Sequence, residues 1–100
     1  MDCKVILSPR AIQDLGEIVR CLSLDDPRAA ESFGYALIDA SLSLQTLPER
    51  RRFVPEFADG ITREIIYGSY RIVYRVNLEK KLACVSRFWH ASRGAPQLEE

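Results

Sequence analysis

The chain has 100 residues, 47% hydrophobic and 28% charged, with 14 Lys or Arg against 14 Asp or Glu. These totals describe one soluble globular domain, 1–100, with a single core. A net charge of zero argues against binding driven mainly by phosphates, although Arg50, Arg51 and Arg52 are consecutive and Arg87, His90 and Arg93 cluster late in the chain.

Cys3 to Leu7, CKVIL, reads as a short strand. Ser8-Pro9 marks a helix start, because Ser is a favoured N-cap and Pro suits the first helical position. Ala11, Ile12, Leu15, Ile18, Val19 and Leu22 then form one stripe, with Arg10, Gln13, Asp14, Glu17 and Arg20 outside it. The spacing predicts a helix over 9–23.

Asp26-Pro27 repeats the cap-then-Pro signal. Ala30, Phe33, Leu37, Ala40, Leu44 and Leu47 follow at spacings of three or four, predicting a helix over 27–47 that Pro48 ends. So short a joint makes the two helices an antiparallel hairpin packed on a sheet.

Residues 48–60, PERRRFVPEFADG, read as an irregular connection. Residues 61–67 are a second strand, and Gly68-Ser69 is a two-residue hairpin turn in which Gly supplies positive φ. Residues 70–76, YRIVYRV, are a third strand. It should bury Tyr70, Ile72, Tyr74 and Val76 and present Arg71, Val73 and Arg75 on the other face. A fourth strand covers 81–89, with its best-defined part at 82–89, and 90–100 are a short tail. Alternation fails along this strand, because neither of its faces is cleanly polar, which suggests a bulge near Ser86 or a ragged strand end.

The fold expected is α+β in the order β-α-α-β-β-β. The helical hairpin covers one face of a small, mainly antiparallel sheet, the first strand joins an edge, and the other face lies open with its polar groups.

Cys3, Cys21 and Cys84 are widely spaced, lack any CxxC pairing and accompany a single His. That pattern suits reduced, buried thiols and neither a disulfide framework nor a metal site. No phosphate-loop, hydrolase-elbow or zinc-protease motif occurs, so no cofactor is expected. No apolar run reaches the roughly 20 residues of a membrane span. Asp2 and Lys4 interrupt any signal-peptide start. A cytoplasmic protein with no membrane partner is expected.

RNA cleavage can proceed with a general base and cations that stabilise a phosphorane. Arg71, Arg87, His90 and Arg93 have that chemistry; they also suit simple protein or nucleic-acid binding. Arg71 could instead pair with Glu64 across the hairpin, Arg50–Arg52 could be a solvated turn, and Trp89 could be a packing residue.

In order along residues 5–93, VILSPRAIQDLGEI, DPRAAESF, LQTLPERRRFVPEF, ITREIIYGSYRIVYRV and VSRFWHASR resemble the ParE/RelE superfamily of type II toxin–antitoxin toxins. The resemblance implies a small toxin held in a hetero-oligomer by a cognate antitoxin whose disordered tail wraps it. RelE-like members are ribosome-dependent mRNA endoribonucleases; ParE-like members poison DNA gyrase and are not nucleases.

Arg71 matches the Arg of the shared YR motif. Thr62 and Glu64 stand where the RelE branch carries a Lys pair, with Arg63 between them, and Ala91 follows His90 where that branch is basic. These departures and the HASR ending favour the ParE-like branch. Arg71, Arg87, Trp89, His90 and Arg93 are then target-binding candidates. Under the RelE-like alternative the catalytic set is Arg71, His90, Arg93 and Arg63. A non-toxic binding protein of the same fold is a third reading.

Overall fold

The computed structural model describes residues 2–98. β1 (Lys4–Leu7) leads through Ser8 into α1 (Pro9–Ser23). The Ser8 Oγ accepts from the Ala11 N–H at 3.0 Å and donates to the Ser86 carbonyl at 3.0 Å, so one side chain caps the helix and ties its start to the last strand. Asp26 caps α2 (Pro27–Leu42) by accepting from the Ala29 N–H. The two helices approach closely at Gly34, where a Cβ would lie 2.8 Å from Val19 Cγ2.

Four further strands follow: β2 (Arg52–Phe53), β3 (Arg63–Tyr67), β4 (Tyr70–Asn77) and β5 (Leu82–His90). They form one sheet with β1 in the order β1-β5-β4-β3-β2. β1 runs parallel to β5 at one edge, and the remaining pairs are antiparallel. Gly68 turns β3 into β4 at φ 58°, as the hairpin signal requires. The register slips where Val73 pairs with Arg87 and Tyr74 with Val85, leaving Ser86 as the bulged residue.

The core lies between the helices and one face of the sheet. Ala11 and Leu37 meet Ile65, Ile72, Tyr74, Val85 and Phe88 there, with Tyr70 and Val76 packed against them. The alternation along β4 therefore holds.

Several expectations change. The second helix ends at Leu42 and not at 47; a 3-10 turn, Ser43–Gln45, carries the seam on to buried Leu44. Leu47 leaves the seam, adopts a left-handed φ of 52° and is 47% exposed. The 48–60 connection contains a 3-10 turn, Pro48–Arg50, and the two-residue strand β2, too short for any period to reveal. On α1, Asp14 is buried whereas Ile12 and Leu22 are exposed. Cys3 is buried and Cys84 half-buried, but Cys21 is exposed.

The face opposite the helices is not open. Val54, Thr62, Val73 and Trp89 are buried on it or beside it, beneath residues 55–60 and the C-terminal segment 91–98.

Candidate functional site

Arg71 is the second residue of β4, opposite Ile66 of β3 and Trp89 of β5. It leaves the sheet on the face away from the helices, as its register demands. It does not reach solvent: the residue is 7% exposed. Its Nε donates to Glu64 Oε1 at 2.6 Å. Its two terminal nitrogens grip Glu56 at 2.9 and 2.6 Å, and Nη1 also donates to the Gly94 carbonyl. Four hydrogen bonds therefore engage a guanidinium that has five N–H groups.

Glu64, 1% exposed, accepts from Arg71 and, at 2.8 Å, from Arg52 Nε. Next to it, Arg75 Nε donates to Thr62 Oγ1, and the Asp59 carboxylate caps the Ile61 and Thr62 N–H groups. Arginines and carboxylates thus alternate across this face: Arg52, Glu64, Arg71, Glu56, with Arg75 beside Asp59.

Two of these carboxylates titrate far below their usual range. The Arg71 hydrogen bond holds Glu56 down to about 2 from 4.5. The Thr62 and Ile61 N–H groups hold Asp59 down to about 2 from 3.8. The folded values are depressed, so the stability they confer is complete above the unfolded pKa and is lost as pH falls toward the folded one. Corrected for the intrinsic pH dependence of exchange, the protection of the amides in 54–62 should fall between about pH 4.5 and 2, ahead of that in β4 and β5. Protection in this loop that stays flat across that window would contradict the assignment.

The C-terminal segment closes the same face. The Trp89 indole N–H donates to the Gly94 carbonyl at 3.0 Å, beside the Arg71 contact to the same oxygen. Arg93 lies 3.9 Å over the Trp89 ring, and Arg87 approaches that ring at 4.9 Å. Trp89, 2% exposed, is the floor under this strap and not a surface anchor.

Arg87 is also buried. β1 stops opposite Val85, so β5 beyond that point has no strand neighbour on this side. Asp14 fills the edge: its carboxylate accepts from Arg87 Nε at 2.7 Å, Arg87 Nη2 at 3.0 Å and the Phe88 N–H at 3.1 Å. Arg87 Nη1 holds the Gln97 carbonyl at 2.6 Å.

His90 goes to the other side of the sheet. It pairs with Tyr70 in an edge-to-face contact at 4.9 Å and lines a cleft with Phe33, Asp25 and Asp26. Its Nδ1 accepts from the Ser92 N–H. Arg63 is on that side too, away from Arg71: it stacks over Phe53 at 4.0 Å and donates to the Arg51 carbonyl. The structure therefore gathers Arg71, Arg87, Trp89 and Arg93 around the C-terminal strap and separates His90 and Arg63 from them. The partners that sequence reading missed are Glu56, Asp14 and the carbonyls of Gly94 and Gln97.

Among the described residues, no group of three or more His, Cys, Asp and Glu is placed to hold a metal ion, and no helix is long and apolar enough to cross a membrane.

A profile of the family described as "ParE toxin of type II toxin-antitoxin system, parDE" matches residues 5–94. The chain belongs to that family. This ParE-family chain is a type II toxin–antitoxin system toxin of the ParE/RelE fold. It is similar in structure to the chromosomal ParDE toxin–antitoxin system of P. aeruginosa, with a TM-score of 0.74 and 18% identity over 88% of this chain and 95% of that one. It is also similar to the RelBE2 toxin–antitoxin complex of Mycobacterium tuberculosis, with a TM-score of 0.65 and 22% identity over 90% and 92% of the two chains. No curated protein matches the sequence at a significant level. The α+β expectation, with helices on one face of the sheet, agrees with both structures.

Proposed function

We propose that this toxin acts as a gyrase poison and not as an mRNA endoribonuclease. The observation that carries the reading is the occupied state of Arg71. A cation that stabilises a phosphorane has to present N–H groups to the reacting phosphate. Here four hydrogen bonds already engage the guanidinium, two of them to Glu56. Glu64, where a nuclease of this fold would carry a lysine, adds a buried negative charge to the same face.

The placement of His90 supports the same reading. A general base and a phosphate-binding cation must face one substrate, yet His90 and Arg71 leave the sheet on opposite sides. Toxicity then rests on a protein surface. Arg93 and His90 are the candidates that keep some exposure at the sheet's end, while Arg71, Arg87 and Trp89 hold the strap on which Arg93 sits.

An antitoxin is the expected partner, since both similar structures are toxin–antitoxin complexes. The outer groove between α1 and α2, lined by Leu15, Val19, Gly34, Tyr35 and Ile38, offers an apolar seat for a partner helix. The cytoplasm is the compartment that holds gyrase and the antitoxin.

The test uses the purified wild-type protein. It should leave ribosome-bound mRNA intact while inhibiting gyrase supercoiling and accumulating cleaved DNA. Codon-specific mRNA cuts, with gyrase unaffected, would overturn the reading in favour of the endoribonuclease branch.

A further inference from the structure

We infer that the corner formed by Leu47, Arg50, Arg51 and Leu78 is a second docking site for the antitoxin, one that takes an extended segment carrying an aliphatic residue beside acidic ones. The inference rests on the antitoxin reading above and names the chemistry of a contact distinct from the α1–α2 groove.

Two adjoining clefts share Leu47 and Arg50. One, of about 330 Å³, is walled mainly by Cys3, Leu47, Pro48 and Leu78. The other, of about 410 Å³, continues past Ser43 and Thr46 to Arg51. Leu47 and Leu78 are both exposed large aliphatics, so the first cleft is apolar and unfilled.

The charges around it have no internal use. Arg52 is committed to Glu64, but Arg50 and Arg51 have no ion-pair partner among the described residues. Glu49 is the one acid lining the clefts, against two guanidinium groups. An apolar slot with a cationic rim complements an aliphatic side chain flanked by carboxylates.

The backbone adds an independent sign. Leu47 is a non-glycine residue at φ 52° and ψ 56°, in the left-handed region where a Cβ is crowded. Strain of this kind persists where the surroundings impose it, and it concentrates at ligand-contacting positions. Here it turns a leucine out of the α2 seam and into the cleft. The extended backbone at Thr46, which bridges antiparallel to Asp2, leads straight into it.

Two variants test the site, with the purified protein of the neighbouring reading frame as the probe and calorimetry as the readout. Arg50→Glu with Arg51→Glu changes exposed side chains only. It should weaken the complex about tenfold or more at roughly 0.05 M salt, and the deficit should shrink near 0.5 M. Leu47→Gly removes the anchor while supplying the residue best suited to positive φ. It should weaken the complex about tenfold, yet leave Tm unchanged or raised, a combination that a purely structural leucine would not give.

If both variants bind like wild type, the corner is not a seat, although the antitoxin reading stands. A fall in Tm for Leu47→Gly would overturn the argument from strain. If the wild-type toxin forms no complex with the neighbouring protein, the antitoxin reading itself falls and takes this site with it. Unchanged antitoxin affinity, with lost binding to duplex DNA, would reassign the corner to nucleic acid and overturn the proposal.

Discussion

Arg71→Ala is expected to destabilise the fold by about 3–5 kcal/mol, the usual cost of removing one partner of a buried ion pair. The size follows from what is left behind. Glu64, fully buried, keeps only the bond from Arg52, whose side chain is itself largely exposed. The Gly94 carbonyl loses one donor and keeps the Trp89 indole. Glu56 loses both of its Arg71 bonds, and with them the largest cause of its low pKa.

A domain of this size is stable by roughly 5–15 kcal/mol in total. The loss should lower Tm by roughly 4–8 °C for each kcal/mol. Replacing the pair together, as Arg71→Met with Glu64→Leu, removes the orphaned charge as well and should recover much of the loss. Thermal unfolding of Arg71→Met, Glu64→Leu and the double variant gives the coupling energy. A double variant no more stable than Arg71→Ala would refute this account. The consequence for function is direct: lost toxicity in Arg71→Ala would report a loosened strap as much as a lost target contact, so any assay of that variant needs a matched stability measurement.

The local signals in the sequence were legible because each rests on neighbouring residues. Ser8-Pro9 and Asp26-Pro27 cap their helices as their chemistry dictates. Gly68-Ser69 turns the hairpin, and the alternation of Tyr70, Ile72, Tyr74 and Val76 points to the core. Even the failed alternation of the last strand carried information, since Ser86 is the bulge that puts Val85 and Phe88 on one face.

The site was legible only in part. Arg71, Arg87 and Trp89 stood out by residue type, but their partners lie far away in sequence. Asp14 is 73 residues from Arg87, and Glu56 is 15 from Arg71. Two of the strongest ties to the C-terminal segment end on backbone carbonyls, at Gly94 and Gln97, and a carbonyl leaves no trace in residue identity. Charge patterning shows which side chains can pair. It does not show that a loop and a tail will fold over the sheet and exclude water from the pairs.

Asp14→Ala should be the other severe substitution, at about 3–5 kcal/mol by the same mechanism. Three donors lose their acceptor together: two nitrogens of Arg87 and the Phe88 N–H. Arg87, 2% exposed, would be left charged with the Gln97 carbonyl as its remaining protein partner. The Phe88 N–H lies on the length of β5 that β1 does not reach, and an unpaired buried N–H adds a penalty of its own. Asp14→Asn keeps the shape and one acceptor oxygen, so its cost should be clearly smaller. Arg87→Met should also cost less, because Arg10 lies 3.7 Å from Asp14 and remains to offset the carboxylate. The order expected in denaturant midpoints is therefore Asp14→Ala lowest, then Asp14→Asn, with Arg87→Met nearest to wild type. Trp89 fluorescence reports the same event, since its ring lies 4.9 Å from the Arg87 guanidinium and under the segment that Arg87 holds. Midpoints equal to wild type for both Asp14→Ala and Asp14→Asn would mean that this carboxylate does not hold the edge. The strap would then depend on the Arg71 and Trp89 contacts to Gly94 alone.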